Sequence, residues 1–450
     1  LMKAGHFSFP QAVEELARRY GIPLPRREPS PMQKKEMAKR ELLFQINQLA
    51  SDYFHGLLTR RKEGQEGRTY LADWKSDLLP SFATPALGEH VERRVGAADL
   101  LEASPAHRRD EVRVGVIGCG GKMKQDTGDF ALELNDGIGH KPEYETLAMA
   151  GSNLLNDDLP SIIKFNEICN AEGLDTISVG GTLGYVIECY ENGLLTKEQL
   201  DGLEMKWGNA HAIIEMTKKI ARREGVGDIL ADGVKVAWEK FGKVGTEYAI
   251  HVGGEELPAH DPRLTPGLAT TYTITATPGR HTQGAESLLP PGLELEPFDK
   301  YVYSGQANNH VKLMASMDLA NAAGLCMFGY LSYPIQSIPE QLSAVTGWEF
   351  DMEEMYKTGE RIYTMRHLFN LREGQNPLTR NVPGRMIGSP PLKEGNVKEV
   401  TVDLKALNNE FLDRLSWDRH TTIPTEVRLR ELGMDFAIKD RTTFNVPAVN

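Results

Sequence analysis

Two short stretches 151 residues apart follow one pattern. Asn170-Ala171-Glu172-Gly173-Leu174-Asp175 and Asn321-Ala322-Ala323-Gly324-Leu325-Cys326 both read N-x-x-G-L-(D/C). Each closes an apolar helical run, with Ile162, Ile163, Phe165 and Ile168 before the first and Val311, Leu313, Met314, Met317 and Leu319 before the second. The pattern calls for two separate helices, each stopped by a glycine in the left-handed conformation. Beyond the glycine the chain must turn sharply and aim backbone groups and a polar side chain at one point. Two such points from distant helices can grip opposite sides of one flat, hydrogen-bonding ligand. For either copy alone an ordinary glycine-capped helix accounts for the residues; the repetition favours the paired reading.

Bulk quantities set the frame. A chain of 450 residues is expected to hold two to four domains, and 40% apolar with 25% charged residues is ordinary for a globular protein. No apolar run approaches a membrane span and no signal-peptide pattern opens the chain, which starts at Leu1 rather than Met, so that a missing start is expected. Four widely spaced cysteines make no disulfide framework, and a reducing cytoplasm is the expected location. The net charge of −12 is unevenly placed: residues 1–73 carry +4 and the remainder −16. The acidic bulk argues against nucleic-acid binding by residues 74–450.

The organisation follows from periodicity. Residues 1–73 are expected to be helical, opening with the capping box Ser8-Phe9-Pro10-Gln11 and an apolar face of Val13, Leu16, Ala17 and Tyr20. Residues 74–114 have weak periodicity and scattered Pro, Ala and Gly, as a linker or seam would. From about 143 helix signals dominate. Thr196-x-x-Gln199, Ser337-x-x-Glu340 and Asp351-x-x-Glu354 read as capping boxes, and Gly193, Gly225, Gly242 and Gly433 sit where helices should end. β-type runs are few, mainly 247–252 and 397–402. The fold class is therefore mainly α.

Six blocks carry a resemblance. Pro142-Glu143-Tyr144-Glu145-Thr146, Gly173-Leu174-Asp175-Thr176-Ile177-Ser178, Arg223-Glu224-Gly225-Val226-Gly227-Asp228, Glu256-Leu257-Pro258-Ala259-His260-Asp261-Pro262-Arg263, Gly324-Leu325-Cys326 and Leu368-Phe369-Asn370-Leu371-Arg372-Glu373-Gly374 occur in this order. Residues about 115–433 thereby resemble the C-terminal helical domains of the tungsten-dependent aldehyde ferredoxin oxidoreductases. The resemblance implies helical domain 2 at 115–300 and helical domain 3 at 301–450. Ala276-Thr277-Pro278-Gly279-Arg280-His281-Thr282 looks closer to the branch with benzoyl-CoA reductase-type subunits. Residues 1–73 resemble bacterial DNA primase just after its zinc ribbon, through Ala4–Ala17 and Asn47–His55. The chain reads as a chimeric join of two fragments, with neither the primase zinc ligands nor its polymerase core.

The resemblance also implies chemistry. The family carries a tungsten bis-pterin (molybdopterin) cofactor beside a 4Fe–4S cluster, and moves two electrons between an aldehyde, carboxylate or thioester-type substrate and ferredoxin or another electron-transfer subunit. Cys119 and Cys326 match two cluster ligands, whereas Val112 and Gly115 stand where the other two cysteines are expected. A cubane cluster normally takes four thiolates, so buried free thiols are the competing reading for Cys119 and Cys326. Pterin gripping falls to Asn170, Leu174, Asp175, Asn321 and Leu325. Asn replaces the family's frequent Asp at the head of both turns and keeps one carbonyl acceptor without the charge. Glu145 and His281 are matched to proton handling, against a solvated surface turn for His281. Lys164 stands where some members place a Glu that holds a metal between subunits. The chain lacks resemblance to the family's N-terminal β domain, so the expectation is that it is inactive alone. Two alternatives stand beside the enzyme: single-stranded nucleic-acid binding through 1–73, and a non-catalytic helical subunit of a larger redox complex.

Overall fold

The computed structural model describes residues 122–284, 289–442, 444 and 446–449. The expected segments 1–73 and 74–114, and Cys119, lie outside the described residues. A short antiparallel pair opens the described chain: β1 (Lys122–Lys124) meets β2 (Ile138–His140) in the register Lys122↔His140, Met123↔Gly139, Lys124↔Ile138. Helices then follow: α1 (Tyr144–Ala150), α2 (Leu159–Glu172), α3 (Thr176–Glu191), α4 (Ala210–Arg222), α5 (Val226–Leu230) and α6 (Gly233–Lys240). After the two-residue strands β3 (His251–Val252) and β4 (Glu255–Glu256) come α7 (Gly267–Ile274), α8 (Ala307–Ala322), α9 (Met327–Tyr330), α10 (Ser337–Thr346) and α11 (Met352–Arg372). The last are α12 (Gly384–Ile387), α13 (Leu404–Arg414) and α14 (Glu426–Glu431). The fold is mainly α.

Local chemistry explains most boundaries. Asp158 starts α2 by accepting the Ser161 N–H at 3.1 Å, and Pro160 fills the first turn, where its missing N–H costs nothing. Asp351 caps α11 in the same way, accepting from the Glu354 amide at 2.8 Å. Thr196 and Gln199 exchange both capping-box bonds, at 2.9 and 3.3 Å, but over a turn rather than a helix. Ser337 does not cap: it lies inside α10 and its hydroxyl donates to the Pro334 carbonyl. Of the two expected β runs, the first yields only β3, and the second gives one isolated bridge between Leu392 and Lys398.

Side chains from Phe130 to Ala249 build one core, in which Leu154, Phe165, Leu183, Ile187 and Ile213 are wholly buried. Residues from Val252 onward supply several smaller clusters around α8 and α11. Two glycines allow close helix approaches around the candidate site. A Cβ on Gly180 of α3 would lie 2.7 Å from Met149 of α1, and one on Gly359 of α11 would lie 1.9 Å from the Ala315 carbonyl oxygen of α8. The first contact presses α1 against α3; the second locks α8 to α11. These two helix pairs carry the candidate site.

One buried charge is paired on two sides. The Lys164 ammonium, almost fully enclosed, reaches Glu167 at 2.7 Å and Glu133 at 2.9 Å, and Glu167 also accepts from the amides of Glu133 and Leu134. Burial alone would lower the Lys164 pKa, but the two carboxylates outweigh it and the group sits above its ordinary value.

Candidate functional site

Glu145 lies in the first turn of α1 and is buried. Its Oε2 accepts the Ala259 amide at 3.0 Å. Its Oε1 lies 3.3 Å from His260 Nε2 and 3.7 Å from His281 Nε2. The two imidazoles stack with centroids 4.2 Å apart and planes 14° from parallel. Tyr144, the neighbour of Glu145, sets its hydroxyl 3.0 Å from His260 Nε2 and 2.9 Å from His281 Nε2. Four polar side chains from three separate stretches thus meet in one enclosed spot.

The surrounding chain explains why they meet. The Glu256 carboxylate, buried against Gly181 of α3, accepts the Val234 amide at 2.6 Å and so anchors the strand that leads to Ala259 and His260. Tyr272 of α7 donates to the His260 carbonyl at 2.8 Å. The stretch 273–283 is stapled from outside. Arg380 donates to the carbonyls of Thr273 and Thr275 at 2.6 Å each, and Asn370 donates to that of Ala276 at 2.8 Å. Arg366 reaches Thr277 Oγ1 at 3.0 Å, Gln283 Oε1, and the Asp318 carboxylate at 2.9 Å. His281 therefore rides on a loop fixed at both ends.

Electrostatics separate the partners. Burial pushes the Glu145 carboxyl up, yet hydrogen bonds with His260 and the Ala259 amide and the neighbouring His281 leave it below the ordinary carboxylate value. Burial, reinforced by adjacent His260, pushes His281 down to about 4. Near neutral pH the site holds an anionic carboxylate beside a neutral imidazole. Burial raises Asp318 to about 6 against the pull of Arg366, and its Oδ2 has no hydrogen-bond partner.

Among the described residues, Glu145, His260 and His281 offer donor atoms all within 4.8 Å of one another. Near-parallel rings send their lone pairs side by side rather than to one point, and the Tyr144 hydroxyl already lies against both Nε2 atoms. The arrangement suits a shared proton network better than a cation. Other buried histidines serve the core: His310 lies 3.1 Å from Thr271 Oγ1, and His367 bonds the Thr422 carbonyl at 2.9 Å.

The paired turns flank this network. Gly173 and Gly324 adopt φ of 72° and 75°, and nothing lies within 4 Å of a Cβ built on either. The Leu174 amide donates to the Cys169 carbonyl at 2.8 Å and the Leu325 amide to that of Ala320 at 3.0 Å, the same helix-ending bond in both copies. Those amides are thus spent on the helix ends. Asp175 caps α3 through Oδ1, accepting from Ile177 and Ser178. Asn170 and Asn321 are exposed. Each turn is tied to the network by a short link: Thr176 Oγ1 lies 2.9 Å from Thr146 Oγ1, next to Glu145, and Asn321 Nδ2 donates to the Thr282 carbonyl at 3.5 Å, next to His281. Cys326 is an exposed free thiol at the start of α9. Cys169 and Cys189 are wholly buried, and burial raises their thiols to about 12 and about 11.

The sequence profile of aldehyde ferredoxin oxidoreductase, domains 2 and 3, matches residues 103–434. The chain belongs to that family. It is 36% identical over 300 residues to the tungsten-containing aldehyde ferredoxin oxidoreductase of Pyrococcus abyssi, which covers 65% of this chain and 49% of the relative. The chain thus spans about half the length of the curated relative it matches. A second match, 44% identical over 66 residues, is to DNA primase of Halalkalibacterium halodurans; it covers 14% of this chain and 10% of the primase. Among solved structures, the fold is similar to the active-site complex BamBC of benzoyl coenzyme A reductase with 1,5-dienoyl-CoA. That similarity has a TM-score of 0.57 at 17% identity over 79% of this chain and 57% of the other, and it shows the fold alone.

His260 and Tyr144 were not singled out by sequence reasoning. Both stood in the blocks that carried the resemblance, Tyr144 directly beside Glu145.

Proposed function

We propose that this chain supplies the proton-handling and pterin-gripping half of a tungsten-pterin oxidoreductase. Such an enzyme would move two electrons between an aldehyde, carboxylate or thioester-type substrate and ferredoxin or another electron-transfer subunit. The observation that carries this reading is the approach of Glu145 and His281 to 3.7 Å, with the two N-x-x-G-L turns linked to either side of them.

The residues present fit a pterin. Exposed Asn170 and Asn321 offer amide groups to a hydrogen-bonding heterocycle, and Asp175 keeps Oδ2 beyond its capping bonds. Open space beside Gly173 and Gly324 lets a flat ring approach both turns. Leu174 and Leu325 would contribute carbonyls, since their amides are engaged. Tungsten-pterin, when bound, would supply the two-electron chemistry. Glu145, ionised, would accept the proton released as substrate is oxidised, and His281 would hold the substrate oxygen by hydrogen bonding. Exclusion of water follows from the burial of both side chains. The residues do not fit a cubane cluster. Cys119 and Cys326 would supply two thiolates where four are needed, with Val112 and Gly115 in the other positions.

The test is the tungsten, molybdenum and iron content of the chain purified after anaerobic expression in a tungsten-supplied host. Retained tungsten that falls in an Asn170→Ala, Asn321→Ala double variant supports the reading. A folded chain with neither tungsten nor molybdenum refutes it. Isolated chain is expected to show no viologen-linked aldehyde oxidation. The primase match is too short to carry that protein's activity.

A further inference from the structure

The Tyr144 hydroxyl touches two imidazole nitrogens at nearly equal distance, 3.0 Å to His260 Nε2 and 2.9 Å to His281 Nε2. A phenol has one proton to give and lone pairs to receive others. It cannot donate to both rings, so at least one Nε2 must carry a proton and donate to it. Glu145 Oε1 breaks the near-symmetry. It lies 3.3 Å from His260 Nε2 and 3.7 Å from His281 Nε2, it is buried, and without an N–H aimed at it that carboxylate oxygen has no hydrogen-bond partner. A desolvated anionic oxygen strongly favours a donor on its nearer neighbour. That neighbour is His260.

We propose that Tyr144 and Glu145 hold the two histidines in opposite tautomers: His260 carries its proton on Nε2 and shares it in a three-centre bond between Glu145 Oε1 and the Tyr144 hydroxyl, the hydroxyl donates to His281 Nε2, and His281 carries its proton on Nδ1. His281 is neutral under the same conditions, because burial holds its pKa at about 4, so its Nε2 is free to accept. The near-parallel stack, 14° between planes, is what lets both Nε2 atoms face one hydroxyl. Tyr144 is thus a positioning residue that fixes which face of His281 is acidic.

The consequence deepens the proton-handling reading above and rests on it only for its role in turnover. His281 presents an N–H donor at Nδ1, not a base. If that proton is given up, Nε2 takes the hydroxyl proton, the hydroxyl takes the proton from His260 Nε2, and His260 is reprotonated at Nδ1. One proton leaves, one enters, and the net charge of the network is unchanged. Reprotonation from the far side resets both tautomers.

The experiment is nitrogen NMR of the full chain labelled with 15N-histidine, near pH 7, without cofactor. Two-bond proton–nitrogen couplings identify the bare, downfield nitrogen of each ring, and His260→Gln and His281→Gln assign the signals. The expected result is a bare Nδ1 in His260 and a bare Nε2 in His281. The same tautomer in both rings overturns the proposal. In Tyr144→Phe, the His281 Nε2 signal should move further downfield as it loses its donor, with the second tautomer appearing. An unshifted His281 in a folded Tyr144→Phe chain overturns the role of Tyr144. Should that variant not fold, the wild-type spectrum alone decides the tautomers. None of these readings depends on tungsten, so failure of the cofactor assay and failure of this inference remain separable.

Discussion

Replacing Asp318 with Asn should make the protein more resistant to heat at neutral pH, and the gain should vanish in acid. Asp318 lies on α8 with its side chain only 2% exposed. Arg366 of α11, 2.9 Å away, acts on it, and its charge in turn raises the buried Tyr363 phenol of the same helix. Burial dominates, and the carboxyl rises from 3.8 to about 6. A group whose folded pKa is raised contributes stability that is complete below its unfolded pKa and is lost as pH climbs through the folded one. Ionising Asp318 in the fold therefore costs about 3 kcal/mol, developed between about pH 4 and pH 6.5. Asn keeps the shape and one acceptor for Arg366 but cannot ionise. About 2 kcal/mol of that cost develops between pH 4.5 and pH 7.5, so at roughly 2 °C per kcal/mol for a unit of this size the variant's midpoint should gain about 4 °C on the wild type over that range. The assay is differential scanning fluorimetry of both proteins across that range, reading only the difference between them, so that other titrating groups cancel. A difference that stays constant with pH would refute the reasoning. It would mean that Arg366 or solvent already satisfies the buried oxygen.

His281 should remain neutral from pH 5.5 to 8; its ring-proton shift is expected to be flat there, and a midpoint near 6.5 would contradict the burial that lowers it to about 4. Because that pKa is lowered, His281 withdraws stability as pH falls from about 6.5 toward about 4, the reverse of Asp318. Gly359→Ala should force α8 and α11 apart, since the new Cβ would sit 1.9 Å from the Ala315 carbonyl oxygen; a loss of about 1–3 kcal/mol is expected, read as a lowered thermal midpoint, and an unchanged midpoint would show the contact to be soft. Lys164→Met should lose about 3–5 kcal/mol by leaving Glu167 charged and buried, while adding Glu167→Leu should recover much of it; a double variant no better than the single would assign the loss to packing instead.

The sequence disclosed those features whose causes are local. Gly173 and Gly324 take the left-handed conformation because the residues before them form helices and only glycine ends such helices without strain. Asp351 caps α11 for reasons contained in four residues. Where a local signal had competing partners, it misled. Ser337 follows Pro334-Ile335-Gln336, and its hydroxyl finds the Pro334 carbonyl before it can cap a helix. The run 397–402 has strand composition but no neighbouring strand to pair with, and it leaves a single bridge.

The candidate site is the opposite case, because its causes are distant. Glu145 and His281 were named through resemblance, yet nothing near either residue says that they meet. Their meeting depends on Gly180 letting α1 lie against α3, on Glu256 pinning the strand before Ala259, and on Arg366 and Asn370 stapling the loop that carries His281. Each of these is a contact between residues dozens of positions apart, invisible to periodicity. Tyr144 and His260 share that fate: 116 residues separate them, and only the fold shows that one hydroxyl serves two rings. The physical lesson lies in the division of labour. Helix ends are written into short sequences and present groups outward; the proton network is written into packing and turned inward, away from water. A variant at exposed Asn170 should therefore leave the network intact, whereas loosening Gly180 or Arg366 should disturb the network while leaving the turns in place.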